Sequence, residues 1–311
     1  MDVIRPSFLK SGDTIAVVST ARWITEDVFA SVEALFATWG WRTKGSHNLF
    51  LRNFQLAGSV EDRIRAFQEA LDDPEVSAII IARGGYGTVH VIDQVDFSSL
   101  KTKPKWICGY SDITVLHAHL NSLGCSTIHA TMPVSFGVAT PEALESLRLA
   151  LSGELHEIQF GAAMAGVKLP QQPLPVLGGN LSVLDSLLGS SSIAFHGEYL
   201  LFIEDVDEMY YHIDRLLMAL KRAGVLNNAR GIILGGMTQM KDNTKAFGFD
   251  TENPWGQGPE ATVHRIAQEL NIPVLENFPA GHQNDNRAFY LNVPVLLKER
   301  KGQYVMTFQQ Y

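Results

Sequence analysis

The chain has 311 residues, of which 46% are hydrophobic and 19% are charged, a composition typical of a soluble globular protein. This length is sufficient for one large domain or two ordinary ones. The formal net charge of −8, without a run of basic residues, argues against a nucleic-acid partner, which requires a basic face.

The N-terminus and the two cysteines indicate the compartment. Residues 1–6 lack a basic start followed by an apolar core, so we predict no signal peptide. Apolar runs such as 78–82 are far too short to span a membrane. Cys108 and Cys125 lie in apolar segments without metal-ligand spacing, which favours buried thiols over a disulfide, a metal site or a nucleophile. We therefore expect a cytoplasmic protein.

Strands alternate with helices in the first half of the chain. Strands are predicted at residues 14–19, 41–45, 77–82, 105–110 and 126–129, of which 14–19 and 77–82 read as buried. Helices begin after Thr25 and after Ser59, where a hydroxyl is followed by acidic residues, and another covers 141–151. This alternation predicts an α/β unit with a doubly wound parallel sheet up to about residue 135.

The second half begins after a segment without clear periodicity. Residues 153–175 carry three prolines and are interpreted as a crossing between domains. Further strands are predicted at 199–203, 231–234, 293–297 and 303–308, and further helices after 180 (through 188), at 214–223 and at 259–270. The expected domains are residues 1–150 and 176–311, with a linker at 151–175.

A serine follows one of the predicted buried strands. The stretch Gly109-Tyr110-Ser111-Asp112 connects an apolar run to an amphipathic one, which predicts a strand, a sharp turn and a helix. A serine at this turn lies beside the first backbone N–H groups of the helix, which favour negative charge. Attack on an acyl carbon produces an oxyanion that needs such donors, so Ser111 is a candidate nucleophile. The alternative is that Ser111 only caps the helix.

Three other features lie at predicted strand ends, where ligands collect in open α/β sheets. They are the glycine turn at 83–87, Glu204-Asp205, and Gly281-His282. An imidazole that accepts the serine proton and a carboxylate that holds the imidazole complete a serine-hydrolase site. The backbone N–H of Asp112 and one from the glycine turn are expected to receive the oxyanion.

Each feature also has a purely structural interpretation. The glycine turn matches neither GxGxxG nor a P-loop, and it is equally a simple chain turn. Glu204 and His282 can each be interpreted instead as an ordinary solvent-exposed residue without a catalytic role. Glu208 is an alternative to Glu204 as the carboxylate that holds the imidazole. His117 and His119 are two residues apart on a helix and point to different sides, so no metal pair is expected.

Five motifs together resemble the LD-carboxypeptidase family of serine peptidases, which includes murein tetrapeptide carboxypeptidases and microcin-immunity peptidases. In the family's order and over residues 14–297, they are Gly84-Gly85-Tyr86-Gly87, Gly109-Tyr110-Ser111-Asp112, Gly178-Gly179-Asn180, Phe202-Ile203-Glu204-Asp205 and Pro279-Ala280-Gly281-His282. The resemblance implies a flavodoxin-like N-terminal domain and a smaller, swivelling β/α C-terminal domain. It also implies that the active site lies between the two domains of one chain and requires no metal or organic cofactor. The implied assembly is a homodimer.

The resemblance assigns roles to particular residues. It implies a triad of Ser111, His282 and Glu204, with an oxyanion hole formed by the backbone of Asp112 and Gly85. The implied reaction removes the terminal D-alanine from cytoplasmic murein tetrapeptide, by cutting an L,D bond during cell-wall recycling.

The peptide's carboxylate should meet an arginine, because its fork of donors suits that group. Arg83 and Arg287 are candidates, although either is equally the partner of a structural acid. Tyr86 and Asn180 are further candidate substrate contacts, and Asn180 is equally a helix N-cap. Family members differ in the loop at 241–259, which is expected to shape the pocket.

Other functions remain open at this stage. One alternative is a peptidase or amidase of the same mechanism that acts on a microcin-like peptide–nucleotide antibiotic. An α/β-hydrolase esterase is disfavoured because the stretch from Gly109 to Ile113 lacks the second glycine of GxSxG. A non-enzymatic alternative is a two-domain protein that closes on a small solute.

Overall fold

The computed structural model describes residues 3–162 and 168–309. The strands are β1 (Thr14–Val18), β2 (Arg42–Gly45), β3 (Val76–Ile81), β4 (Trp106–Gly109), β5 (Thr127–His129), β6 (Glu157–Phe160), β7 (Leu174–Asn180), β8 (Tyr199–Val206), β9 (Ala229–Thr238), β10 (Val274–Leu275), β11 (Phe289–Leu291), β12 (Pro294–Arg300) and β13 (Gln303–Phe308). The helices are α1 (Glu26–Thr38), α2 (Val60–Asp72), α3 (Thr114–Ser122), α4 (Pro141–Ser152), α5 (Leu181–Ser186), α6 (Tyr210–Arg222) and α7 (Pro259–Leu270). Short 3₁₀ turns join several of them.

The first sheet has the strand order β11-β5-β4-β3-β1-β2. All neighbouring strands are parallel except β11, which runs antiparallel to β5. Every residue of β1 and almost all of β3 are buried, because these apolar strands are covered on both faces. The α/β class predicted from the sequence is therefore confirmed.

Two of the predicted helix starts have the expected caps. The Thr25 side chain accepts a hydrogen bond from the backbone N–H of Val28 at the start of α1. At the start of α2, Ser59 and Asp62 each accept a hydrogen bond from the other's backbone N–H, which forms a capping box. These local signals therefore fix where both helices begin.

The second sheet has the strand order β10-β9-β8-β7-β12-β13-β6. Strands β7 to β10 are parallel, whereas β12, β13 and β6 pair antiparallel. The segment at 151–175, expected to cross between domains, contains the end of α4, all of β6 and the start of β7, and its residues 163–167 lie outside the described residues. β6 alternates buried Ile158 and Phe160 with outward polar residues, a pattern of four residues that is too short to predict.

The two sheets are joined at several points along the chain. β11, from the second half of the sequence, completes the first sheet. The backbone N–H of Asn180, at the end of β7, donates to the Thr114 hydroxyl at the start of α3 at 2.9 Å. Gly179 is needed here, because a Cβ on it would lie 2.4 Å from that hydroxyl oxygen. The end of β7 is therefore attached directly to the helix that follows β4.

Several boundaries differ from the predicted ones. α6 begins at Tyr210 rather than 214, β9 is longer than predicted, and the short strands β10 and β11 were not predicted. Cys108 and Cys125 are buried free thiols, and burial raises the pKa of both, that of Cys125 to about 11. Within residues 3–162 and 168–309, no helix is both long and apolar enough to span a membrane.

Candidate active site

Ser111 lies in a tight turn between β4 and α3. Its φ of 63° is in the left-handed region, which is uncommon for a residue with a side chain. A 3₁₀ turn over Ser111–Ile113 follows and leads into α3. A Cβ on Gly109 would lie 2.9 Å from the Ile113 side chain, so the last residue of β4 must be glycine for the chain to turn this sharply. The turn brings the serine hydroxyl out of the sheet.

His282 connects Ser111 to Glu204. The Ser111 Oγ lies 3.0 Å from His282 Nε2, and His282 Nδ1 lies 2.7 Å from Glu204 Oε2. The backbone N–H of His282 also donates to Glu204 Oε2 at 3.2 Å. Gly281, with a φ of 113°, permits this approach, since a Cβ there would lie 2.8 Å from the Glu204 Cβ. The structure thus brings together three side chains that the sequence singles out.

The surroundings of this group set the charge and tautomer of the imidazole. Burial lowers the pKa of His282. The hydrogen bond to Glu204 and the charge of Glu204 together raise this pKa by more than burial lowers it, so the pKa lies above its ordinary value. Glu204 is fully buried at the end of β8. Burial, followed by the charge of Glu204, raises the pKa of the neighbouring Asp205 to about 6. In neutral His282, Nδ1–H donates to Glu204 and Nε2 remains free to accept the serine proton.

The glycine turn packs against Ser111. A Cβ on Gly84 would lie 3.3 Å from the Ser111 Cβ and 3.5 Å from the backbone nitrogen of Asp112. The buried Asp112 carboxylate accepts a hydrogen bond from the Thr88 N–H at 3.0 Å, at the end of the turn. Asp112 therefore holds the glycine turn beside the serine, in addition to its expected backbone role.

Arg63 holds the same turn from the other side and was missed in the sequence. Its fully buried guanidinium donates to the carbonyl oxygens of Thr20 and Gly87, both at 2.8 Å. Arg63 lies in α2, where a charged residue is usually taken as part of a solvated helix face. Only its position on the buried side of the helix, beside Phe67 and Ala70, could have indicated this role.

Asn180 takes the helix-capping role that the sequence offered as one alternative, and the substrate contact expected of it stays a prediction. It is 3% exposed and is the N-cap of α5, where its Oδ1 accepts from the Val183 N–H at 3.1 Å. Its Nδ2 donates to Asp205 Oδ1 at 2.8 Å. The oxygen and the nitrogen of the Asn180 amide therefore both have partners inside the protein: the oxygen caps α5, and the nitrogen binds the Asp205 carboxylate.

The other candidates are distributed around the site. Arg287 forms an ion pair with Asp285 through two guanidinium nitrogens, so it has a structural acid as its partner. Glu208, the rival carboxylate, binds His212 at 2.7 Å, one helical turn away. Tyr86 is 54% exposed at the glycine turn.

The remaining histidines and acids form no metal site within the described part of the chain. His117 is buried against the Gly109 carbonyl and the Thr127 hydroxyl, whereas His119 contacts Ser192. The two histidines therefore point to different sides of α3, as predicted.

A cavity of about 220 Å³ opens beside His282. Its polar lining includes Tyr110, Ser135, Gln239 and Gln283, and none of its lining residues is a lysine or an arginine. The Tyr110 and His282 rings lie 5.0 Å apart. The cavity therefore provides uncharged hydrogen-bonding groups at the edge of the imidazole.

A hydroxyl, an imidazole and a carboxylate hydrogen-bonded in this order, at the ends of strands in an α/β fold, define a serine hydrolase site. Sequence models of the LD-carboxypeptidase N-terminal and C-terminal domains match residues 15–130 and 175–297. The chain belongs to the LD-carboxypeptidase family, and it is a serine-type carboxypeptidase by that membership.

Individual relatives agree with this assignment. The probable murein peptide carboxypeptidase of Bacillus subtilis is 32% identical over 289 residues, which cover 89% of this chain and 86% of that protein. The crystal structure of muramoyltetrapeptide carboxypeptidase from Oxalobacter formigenes matches with a TM-score of 0.83 and 22% identity, over 96% of this chain and 99% of that one. A structure of MccF in complex with glutamyl sulfamoyl guanosine matches with a TM-score of 0.82 and 22% identity, over 99% of both chains. The two structures show that the fold is shared.

Proposed function

We propose that this protein removes the terminal D-alanine from murein tetrapeptide by hydrolysing an L,D-peptide bond, with Ser111 as nucleophile, His282 as base and Glu204 as the carboxylate that orients it. The observation that carries the proposal is the continuous hydrogen-bonded line from the Ser111 hydroxyl through His282 to Glu204. Ser111 follows a strand of the first sheet, Glu204 lies in a strand of the second sheet, and His282 lies in the loop before β11.

The reaction follows from this geometry. His282 Nε2 takes the proton of Ser111 as Oγ attacks the scissile carbonyl carbon. The resulting imidazolium gives that proton to the amine of D-alanine, the C–N bond breaks, and the acyl group remains on Ser111. A water molecule, deprotonated by His282, then hydrolyses the ester and releases the shortened peptide. Glu204 stabilises the imidazolium in both steps.

The backbone at the two turns completes the proposed site. We assign the oxyanion to the N–H groups of Asp112 and Gly85, because the glycine turn and the serine turn are in contact. Removing one such donor typically costs about 3–4 kcal/mol of transition-state stabilisation. The bonds that Asp112 and Arg63 make to the glycine turn hold these donors in place before the substrate arrives.

The choice of substrate rests on the names of relatives. The Bacillus subtilis relative is named as a probable murein peptide carboxypeptidase, and the Oxalobacter formigenes protein as a muramoyltetrapeptide carboxypeptidase. The MccF structure, bound to a glutamyl sulfamoyl nucleoside, supports the peptide–nucleotide alternative for the same catalytic groups.

The test incubates the purified protein with murein tetrapeptide and measures free D-alanine. Ser111→Ala should reduce kcat by roughly 10⁴- to 10⁶-fold, because a triad member is lost. Ser31→Ala, on the exposed face of α1, removes a serine hydroxyl far from the turn and should retain full activity. If Ser111→Ala is as active as the unmodified protein, the mechanism is wrong.

Two further results would replace the proposed substrate. Hydrolysis of a glutamyl sulfamoyl nucleoside, with no D-alanine released from the tetrapeptide, would identify the antibiotic-directed activity. Binding of either compound without turnover would identify a solute-binding protein.

We also propose that the protein acts as a homodimer in the cytoplasm. The family resemblance supports the dimer, and two unpaired buried thiols suit a reducing compartment. Light scattering coupled to gel filtration tests the dimer, since a mass near 34.3 kDa would contradict it. Cell fractionation tests the compartment.

A further inference from the structure

Two arginines lie together at the glycine turn. Arg22 follows β1 and Arg83 follows β3, and these neighbouring parallel strands end at the same edge of the first sheet. Ser111 follows the next strand, β4, at that edge. Burial, followed by the nearby charge of Arg22, lowers the pKa of Arg83. The Arg83 guanidinium also lies against the carbonyl oxygen of Trp23, the residue that follows Arg22, so the two arginines are neighbours.

Arg22 contacts the backbone of the glycine turn itself. A Cβ on Gly85 would lie 2.4 Å from Arg22 Nε and 2.9 Å from its Cζ, so the guanidinium lies directly on this glycine. The preceding residue, Gly84, contacts Ser111 in the same way. Arg22 and Ser111 therefore lie against successive residues of the glycine turn.

Neither arginine has an acidic partner among the described residues. Arg22 Nε is buried without a hydrogen bond, and Arg83 makes one long contact of 3.4 Å to the Trp23 carbonyl oxygen. Elsewhere near the site, Arg287 pairs with Asp285, and Arg63 donates to two carbonyl oxygens at 2.8 Å although its Nη2 is also buried without a partner. Two adjacent unpaired cations are unfavourable in a partly buried site unless an anion joins them.

We propose that Arg22 and Arg83 bind the C-terminal carboxylate of the peptide substrate. This inference rests on the proposed function and adds the group that makes the enzyme act at a chain end. A carboxypeptidase must distinguish a free terminal carboxylate from a continuing chain, and paired arginines offer the planar donors that this group accepts. The cavity beside His282 has no cationic lining residue, so it suits the uncharged part of the substrate.

The test compares kcat/KM for three peptides: the tetrapeptide, the same peptide ending in D-alaninamide, and one in which an upstream carboxylate is amidated. The unmodified enzyme should prefer the tetrapeptide to the terminal amide by at least tenfold. Arg22→Gln and Arg83→Gln should each lower kcat/KM for the tetrapeptide by about 10- to 100-fold, the usual range for a hydrogen bond to a charged group. They should hardly change turnover of the terminal amide, so the preference disappears.

Arg52→Gln is the matched control, because Arg52 stacks on the neighbouring Trp23 at 4.0 Å and lies outside the proposed subsite. It should leave the preference unchanged. Equal losses on the tetrapeptide and its terminal amide would overturn the proposal. The proposal would also be overturned if the arginine variants lost only the preference for the tetrapeptide over the peptide with the amidated upstream carboxylate. That result would assign the arginines to the upstream carboxylate.

A binding measurement separates this proposal from the proposed function. Calorimetry with Ser111→Ala protein needs no turnover, and adding Arg22→Gln to this variant should weaken tetrapeptide binding by at least tenfold. Unchanged affinity would overturn the subsite even if the enzyme is active. Absence of turnover with an Arg22-dependent affinity would overturn the reaction and leave the subsite standing.

Discussion

Replacing Asn180 by alanine tests whether this residue supports the fold or contacts the substrate. The substitution removes the N-cap oxygen of α5, at a typical cost of about 1 kcal/mol. It also removes the amide donor to the Asp205 carboxylate, and a hydrogen bond to a charged group contributes about 1.5–3 kcal/mol. The free energy of unfolding should therefore fall by about 3 kcal/mol.

Urea unfolding, followed by circular dichroism, measures this loss. For a slope of about 3 kcal/mol per M, the midpoint should fall by about 1 M. Asn180→Ser is the control, since its hydroxyl can cap α5 but does not carry the amide that reaches Asp205. It should regain about 1 kcal/mol of the loss. An unchanged midpoint for Asn180→Ala, together with a raised KM for the peptide, would refute the structural role.

The remaining predictions concern catalysis. Because the pKa of His282 is raised above 6.5, kcat/KM should fall as the pH drops through a value above 6.5, where the imidazole becomes protonated and cannot act as a base. Glu204→Gln should lower kcat by roughly 10⁴-fold and move this acid limb to lower pH; a limb that stays in place would argue against the pairing. Gly85→Ala should lower kcat/KM by at least tenfold, because its Cβ meets Arg22 at a φ of 111°. Gly12→Ala, at a φ of 89° with no atom within 4 Å, should retain activity, and equal losses in both variants would contradict the argument.

Much of the fold could be predicted because its signals are local. The apolar runs that form β1 and β3, and the caps at Thr25 and Ser59, are contained in a few consecutive residues. β6 and β11 were missed because each is a strand of four residues or fewer whose pairing depends on distant parts of the chain. Short strands carry too little periodicity to distinguish them from loops.

The site shows the same division between local and distant information. Ser111, Glu204 and His282 could be singled out as candidates because Ser111 and His282 closely follow glycines, Glu204 follows an apolar run, and their motifs match those of a family. Arg22 has no local signal except that it follows a buried strand at the same sheet edge. The role of Arg63 depends on which face of α2 is buried, and only the packing of α2 against the sheet determines that.

β11 has a consequence for how the molecule is made. The strand at Phe289–Leu291 completes the first sheet, and His282 precedes it by only a few residues. Synthesis proceeds from the N-terminus, so a nascent chain holds Ser111 long before it holds the histidine and the last strand of that sheet. The ribosome must therefore synthesise residue 282 before the Ser111 hydroxyl can meet the imidazole proposed as its base, and a translation product that stops short of residue 282 carries the hydroxyl without that imidazole.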